Sequence, residues 1–424
     1  MQRLSLSALL LAMFAVSVGY SVVLPILPFL IERLSGAADS VTLSRHTGLL
    51  TGTYVLAIFL FAPFWGKVSD LRARRPVILL GLIGFAITFT LFTLFESLPL
   101  LYLGRFLDGV FAAAIAPAVY ALVGDHAQSK EWRAYRFTLL NVAATAGFFV
   151  GPLLGGLVLR ASRDTTFAGA DSFLVPFIAA SCLALLAALM TWVFVSEAQR
   201  RITQAAMTER ADKRVIMLRL CGIAFVSTLA IGAFEVGMSL RGKQTLGMDA
   251  YQIGMVFAEC SIVMFIVQVL VFSPLVKPDF TRWFLTPGLF VLALGLALVP
   301  FVTGYIATSI AVALVAASAG ILPPVVTYWV SLSAGETEGA ELGRLTAAAS
   351  LGQAVGSAGG GMLFNVSLVG NATFIAAAIV VLSGLGASFS LTRRLVPRQN
   401  TAEKCPAVST GAVTRARRHP HEHA

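Results

Sequence analysis

The sequence predicts an all-α integral membrane protein of twelve transmembrane helices in two six-helix halves. Three observations carry that reading. Hydrophobic residues make up 57% of the 424 and charged residues only 12%, against about 25% charged in soluble domains. The apolar runs extend for roughly 20 residues or more, as a hydrocarbon core of about 30 Å requires of a helix, and they lack the ten-residue alternation of barrel strands. Polar, basic or helix-breaking residues separate the runs. Because lipid offers no hydrogen bonds to an exposed backbone, the runs must close their own ladders as helices.

In chain order, the first run, 5–30, is too long for a signal-peptide core and is followed by further spans, so it is expected to stay in the protein. Runs 46–66 and 76–95 flank a short basic hinge from Gly66 to Val77, which carries Asp70, Arg74 and Arg75. The run 99–124 follows the polar turn from Glu96 to Pro99, and 136–160 follows Lys130, Arg133 and Arg136. The sixth run, 172–196, ends where Glu197 to Arg219 turns polar, with six basic and three acidic residues. Six more runs follow at 216–240, 250–275, 283–302, 304–332, 342–366 and 371–391, and only Thr303 and Gly304 divide the ninth from the tenth. The expected organisation is an N-terminal half at 1–196, a cytoplasmic linker at 197–215, a C-terminal half at 216–392 and a basic, disordered cytoplasmic tail at 393–424. Helix 5 and helix 11 echo each other. Gly147, Gly151 and Gly155 in one, and Gly352, Gly356 and Gly360 in the other, step by four and keep one helical face free of side chains for a close neighbour. Pro117 in helix 4 and Pro323-Pro324 in helix 10 compare in the same way.

The net charge of +10 follows the membrane and not a nucleic acid. Of the 31 Lys and Arg residues, 24 fall on the side that carries both termini, 6 fall on the other, and Arg105 lies within a span. The positive-inside rule then puts both termini in the cytoplasm. Cys182, Cys221 and Cys260 lie in or beside apolar runs and Cys405 in the tail, without metal-ligand spacing, so buried structural thiols are expected.

The hinge residues Gly66, Asp70, Arg74 and Arg75 resemble the loop between helices 2 and 3 of the major facilitator superfamily, although Leu71 and Ala73 stand where that pattern has Arg and Gly. Gly147-Phe148-Phe149-Val150-Gly151-Pro152-Leu153-Leu154-Gly155-Gly156 resembles the fifth-helix motif of the family's antiporters. Leu24-Pro25-Ile26-Leu27-Pro28 resembles an element of its drug:proton antiporter branch, as does Arg105-Phe106-Leu107-Asp108-Gly109, with Asp108 in place of Gln. The resemblance implies the major facilitator fold, export and not uptake, and a midplane substrate site between two halves. It also implies a cavity lined by helices 1, 4, 7 and 10, which nominates Tyr20, Phe234 and Tyr328, with Asn141 and Gln353 on flanking helices. For each nominee packing or an interhelical hydrogen bond is the commoner role of such a residue, and substrate contact the alternative. In the hinge, Asp70 is expected to accept hydrogen bonds from the basic residues or from a helix N-terminus, with Asp125 a second acceptor for Arg74 or Arg75, and Asp70 is expected to help hold the cytoplasmic side closed.

Ionisable residues inside spans each cost at least about 2.5 kcal/mol at the bilayer centre and call for a reason. They are Arg105, Asp108, Glu235 and Glu259. At 1.5 Å per residue Asp108 lies roughly 14 to 18 Å deep, Glu259 about 15 Å and Glu235 about 9 Å. Depth therefore ranks Asp108 first as proton carrier, Glu259 second and Glu235 third. Asp108 follows Arg105 by three positions, so the two either neutralise each other or exchange their pairing for a proton. Glu259 either titrates or bonds a neighbouring helix, and Glu235 either titrates or reaches outward to the surface.

Three functions fit: proton-coupled efflux of a small organic compound, proton-coupled uptake on the same fold, or a receptor-like member that moves nothing. No phosphate-binding Gly-x-x-x-x-Gly-Lys-Ser/Thr loop occurs. No enzymatic constellation occurs either, since the histidines are His46, His126, His419, His421 and His423. The expected partners are a small-molecule substrate, protons and the lipid bilayer. No nucleic acid, no cofactor and no metal are expected, and the chain is expected to be a monomer of the cytoplasmic membrane.

Overall fold

The computed structural model describes residues 3–35, 39–71, 73–92, 94–126, 129–163, 174–196, 211–271, 278–334, 338–365 and 372–394. The tail beyond 394 and most of the linker, at 197–210, lie outside the described residues. Twelve α-helices are found: α1 (Arg3–Ser35), α2 (Ser40–Leu71), α3 (Arg74–Phe92), α4 (Leu98–Asp125), α5 (Lys130–Arg163), α6 (Leu174–Phe194), α7 (Ala211–Gln244), α8 (Ala250–Val271), α9 (Leu285–Leu298), α10 (Tyr305–Ala334), α11 (Glu338–Leu363) and α12 (Ala372–Arg394). Most run past the apolar stretch into polar ends. Thus α7 begins at Ala211, inside the expected linker, and α12 continues past 392. The ninth is the reverse: a shorter α-helix flanked by 3-10 turns at Pro278–Phe284 and Val299–Phe301, the second opened by Pro300.

Among the described residues, ten of the twelve helices are long and apolar enough to cross a membrane. Twelve helices accompany the expectation of twelve spans, and α11 falls short of that apolar measure through its composition. Gly, Ser and Ala displace large apolar residues along α11, which carries Glu338, Glu341 and Arg344 at its start, and it packs against both α2 and α7. A helix wedged between two others needs small residues more than greasy ones. In α12 no charged residue occurs from Ala372 to Thr392, and the apolar stretch among its described residues is Ala372–Gly386.

Helix ends follow local chemistry. Asp249 Oδ1 accepts from Gln252 N at 2.8 Å while Gln252 Oε1 accepts from Asp249 N at 3.0 Å, a reciprocal cap that starts α8. The turn before it needs Gly247, whose φ is 61°. At the start of α2 the Thr42 hydroxyl and amide hold the Asp39 carboxyl below its usual range. On α3, Leu80, Ile83, Ile87 and Leu91 are exposed on one stripe, which faces lipid once the chain sits in a bilayer.

The glycine faces decide which helices meet. A Cβ on Gly151 would lie 2.7 Å from Val18 O and one on Gly155 3.0 Å from Val22 O, while Gly147 abuts Phe14 O, so three glycines of α5 seat on α1. The fourth, Gly156, turns to α8, where a Cβ would meet Tyr251 Cα at 2.7 Å. Helix α11 repeats the arrangement: Gly352 and Gly356 abut Phe225 O and Leu229 O of α7, and Gly360 lies against Ala233. Gly361 then turns to α2, where a Cβ would meet Gly48 Cα at 2.7 Å. The end of the bundle that carries the α7–α8 turn is tied by polar bonds as well. Lys243 Nζ donates to Glu32 Oε2 at 2.5 Å and to Pro28 O at 3.0 Å, 4.4 Å above the Phe29 ring. Asn365 Nδ2 donates to Ser40 O and Ser44 Oγ, each at 2.7 Å, and to Gln244 Oε1 at 3.1 Å.

Candidate functional site: a central cavity with a buried carboxylate

A cavity of about 290 Å³ lies among α1, α5, α7, α8, α10 and α11. Phe148, Ile231, Phe234, Phe257, Met264 and Val315 give it apolar walls, and Ala316 and Ala319 keep α10 from filling it. Tyr20, Thr228, Glu235 and Gln353 bring polar groups to this surface, and Glu235 is the charged residue among its lining. Glu235, 4% exposed, accepts from Tyr20 OH at 2.5 Å and from Gln353 Nε2 at 3.1 Å, while Gln353 Nε2 also donates to Tyr20 OH at 3.0 Å. Three helices, α1, α7 and α11, converge on one carboxylate oxygen. The outward-reaching alternative for Glu235 is therefore corrected: the side chain turns inward, because Tyr20 and Gln353 supply the donors that a buried carboxylate requires.

Behind Tyr20 lies a second polar layer. Tyr20 stacks on Tyr54 with centroids 5.3 Å apart, and the Arg105 guanidinium sits 5.2 Å over the Tyr54 ring and 5.7 Å from that of Phe92. Arg105 Nη1 stands 4.0 Å from Asp108 Oδ2, both side chains fully buried. The guanidinium nitrogens gain no hydrogen bond among the described residues, and the Thr88 hydroxyl lies beside the Asp108 carboxylate. At 4 Å such a pair attracts by about 4 kcal/mol at an effective dielectric of 20, while desolvation costs several kcal/mol per ion. Attraction and desolvation thus come close to break-even. Asp108 does not line the central cavity, whereas Glu235 does.

The other nominees divide. Tyr20, Phe234 and Gln353 line the cavity. Asn141 instead accepts from Tyr120 OH at 3.1 Å and donates to Phe137 O at 2.9 Å, and Tyr328 packs edge-on against Trp329; neither belongs to the cavity. Glu259 lies at a separate cavity of about 230 Å³ near the α7–α8 turn. In the hinge Arg74 Nε donates to Asp125 Oδ2 at 3.1 Å and Arg74 Nη1 to Ser69 Oγ at 2.9 Å, while Arg75 bonds the Trp192 carbonyl of α6. The Asp70 side chain lies outside the described residues. Gly66 has open space where a Cβ would stand, so close packing is not what places glycine there. Pro152 sits at the α5–α8 crossing, its carbonyl 2.6 Å from a Cβ on Gly254. Sequence reasoning passed over Phe148, Phe257, Cys260 and Met264 as cavity residues; Phe148 sat within the quoted fifth-helix motif, and nothing in sequence separates the other three from packing.

The sequence profile of the Major Facilitator Superfamily matches residues 9–339. Multidrug resistance protein 2 of Bacillus subtilis is 27% identical over 89% of this chain and 92% of its own length. Quinolone resistance protein NorA of Staphylococcus aureus is 24% identical over 84% of this chain and 88% of its own. Among crystal structures, the human organic anion transporter MFSD10 (TETRAN) superposes with a TM-score of 0.71 at 18% identity, covering 93% of this chain and 99% of that one. A bacterial homolog of the human lysosomal transporter Spinster gives 0.69 at 16% identity, over 92% and 96%.

Proposed function

The chain belongs to the major facilitator superfamily, and from that premise we propose that it exports lipophilic organic compounds, neutral or cationic, in exchange for protons. One observation carries the reading: a carboxylate, Glu235, buried on the wall of a largely apolar cavity where α1, α7 and α11 meet. Apolar walls with few polar groups suit ligands of varied shape. The names borne by the Bacillus and Staphylococcus relatives support drug-like substrates.

Glu235 carries the proton that substrate binding displaces. As a carboxylate it accepts from Tyr20 and Gln353 and attracts a cationic substrate; once protonated it donates instead, and the attraction is gone. Asp108 and Arg105 form a second titrating pair behind the Tyr20–Tyr54 stack, which passes a change at Glu235 to the packing of α2 and α4. Twelve spans form two halves, 1–196 and 216–392, joined by the linker at 197–215, with both termini and the basic tail on the cytoplasmic side of the cytoplasmic membrane. The halves rock about the cavity. Asp70, Arg74, Arg75 and Asp125 help hold the cytoplasmic side closed when the halves rock, and no cofactor or nucleotide enters the cycle. The protein works as a monomer.

Vesicles of both orientations with an imposed proton gradient test the reading. An ethidium-type cation should accumulate in acid-loaded inverted vesicles and not in right-side-out ones. Glu235→Gln, which keeps the shape, should preserve downhill exchange and abolish gradient-driven accumulation. Accumulation in right-side-out vesicles with an inward proton gradient would make the protein an uptake symporter, and a fully coupled Glu235→Gln protein would remove Glu235 from the cycle.

A further inference from the structure

Glu259 lies outside the central cavity, on the face of α8 that looks toward lipid. It follows Met255 by four residues and precedes Ile262 by three, and these neighbours are 44% and 48% exposed; such spacing puts all three on one helical stripe. The facing stripe on α10 exposes Ile306 and Ile310 at 75% and 58%, with Ser309 between them. Since Cβ atoms lean toward a helix N-terminus, the Glu259 side chain points to the end that carries the α7–α8 turn.

There it enters the cavity of about 230 Å³ bounded by Met248, Val256, Thr303, Thr308 and Val312. Ser309 Oγ donates to Glu259 Oε2 at 3.0 Å. Among the described residues no Lys, Arg or His pairs with this carboxylate. The Thr308 hydroxyl is buried on the same cavity without a hydrogen-bond partner. A carboxylate in the membrane region with one hydroxyl for company, beside a second unused hydroxyl, asks for a cation. The apolar floor asks that the cation carry a greasy body.

We propose that the groove between α8 and α10 is a bilayer-facing site for the ammonium group of an amphipathic organic cation, with Glu259 as counter-charge and the Thr308 and Ser309 hydroxyls as its polar wall. The tail of the ligand lies along Ile262, Ile306 and Ile310 in the adjoining leaflet. The same chemistry is offered by an ethanolamine phospholipid and by a soluble single-chain ammonium compound. The site requires only that the chain sit in a bilayer, and it holds whichever way the central cavity moves its substrate.

The test is equilibrium photolabelling of the full-length protein in phosphatidylglycerol nanodiscs, with no gradient, using an alkyl trimethylammonium that carries a diazirine on its chain. Label should appear on the α8 and α10 peptides around Glu259 and Ser309. It should fall about fivefold in Glu259→Gln, the ratio that roughly 1 kcal/mol of ion pairing gives. Glu259→Gln keeps the side-chain shape and an acceptor for Ser309; Ser309→Ala keeps the charge and should hold most of the label, which guards against a fold defect. An alkyl sulfate probe of the same length should label wild type and Glu259→Gln alike. Loss of label when phosphatidylethanolamine is added assigns the occupant to the lipid headgroup, and persistence assigns it to the soluble cation; both uphold an ammonium site. Equal labelling of wild type and Glu259→Gln by the cation, or Glu259-dependent labelling by the sulfate, overturns it. Because nothing is transported, failure of the export reading leaves this result untouched.

Discussion

Arg105 and Asp108 are fully buried with a 4.0 Å separation, and among the described residues the guanidinium gains no hydrogen bond, so neither tolerates loss of the other. Arg105→Ala leaves a bare carboxylate and Asp108→Asn a bare guanidinium, and removing one partner of a buried pair costs about 3–5 kcal/mol. Each single variant should therefore lower the thermal stability of purified protein sharply. The double variant Arg105→Leu/Asp108→Leu removes both charges and should recover most of that loss. In vesicles it should keep downhill exchange and lose most gradient-driven export. A double variant that exports normally would reduce the pair to a packing device. Glu235 differs in kind: its hydrogen bonds come from neutral donors, so its proton can come and go without stranding a charge.

At the scale of elements, small residues set which helices touch. A Cβ on Gly151 would stand 2.7 Å from the Val18 carbonyl and closer still to Ser21 Oγ, while Gly66 has nothing nearby. Gly151→Ala should push α5 off α1 and cost about 1–3 kcal/mol, the usual range for overpacking. Gly66→Ala should leave stability unchanged within about 0.5 kcal/mol, as surface substitutions do. Parallel melting curves of the two proteins compare these outcomes, and equal loss in both would refute the steric account. The doubled glycines divide their contacts in the same way in α5 and α11, with Gly155 and Gly360 facing α1 and α7 while Gly156 and Gly361 face α8 and α2. Identical spacing in two helices thus produces matching crossings at two places in the bundle.

For the molecule as a whole, the contacts near the α7–α8 turn hold one end shut. Lys243 joins α7 to Glu32 and Pro28 of α1, with Glu32 half exposed at 52%, so the ion pair contributes no more than about 1 kcal/mol. Lys243→Gln should shift the closed population at that end by fivefold at most, read as a change in spin-label distances across α1 and α7. A wholesale collapse of the closed state would place the strength of the latch elsewhere than in this pair. The distribution of Lys and Arg predicts, separately, a cytoplasmic reading from a reporter fused after Arg394. A periplasmic reading would overturn the proposed orientation of both halves.

The sequence by itself determined that this is a helical membrane protein, where its helices run, which faces carry glycine, and which family it resembles. These are local properties: run length, apolar content and four-residue spacing are set by neighbours along the chain. It also determined that four ionisable side chains lie within the spans. What only the tertiary structure decided is which of them share a site. Tyr20, Glu235 and Gln353 stand 215, 118 and 333 residues apart in their pairings, and no local pattern marks one as the partner of another. Depth along a helix measures distance from the surface and says nothing of azimuth, so it ranked Asp108 above Glu235 and could not tell that Glu259 looks outward. The direction a side chain faces is fixed by what packs against its helix, and that is a property of the folded bundle alone.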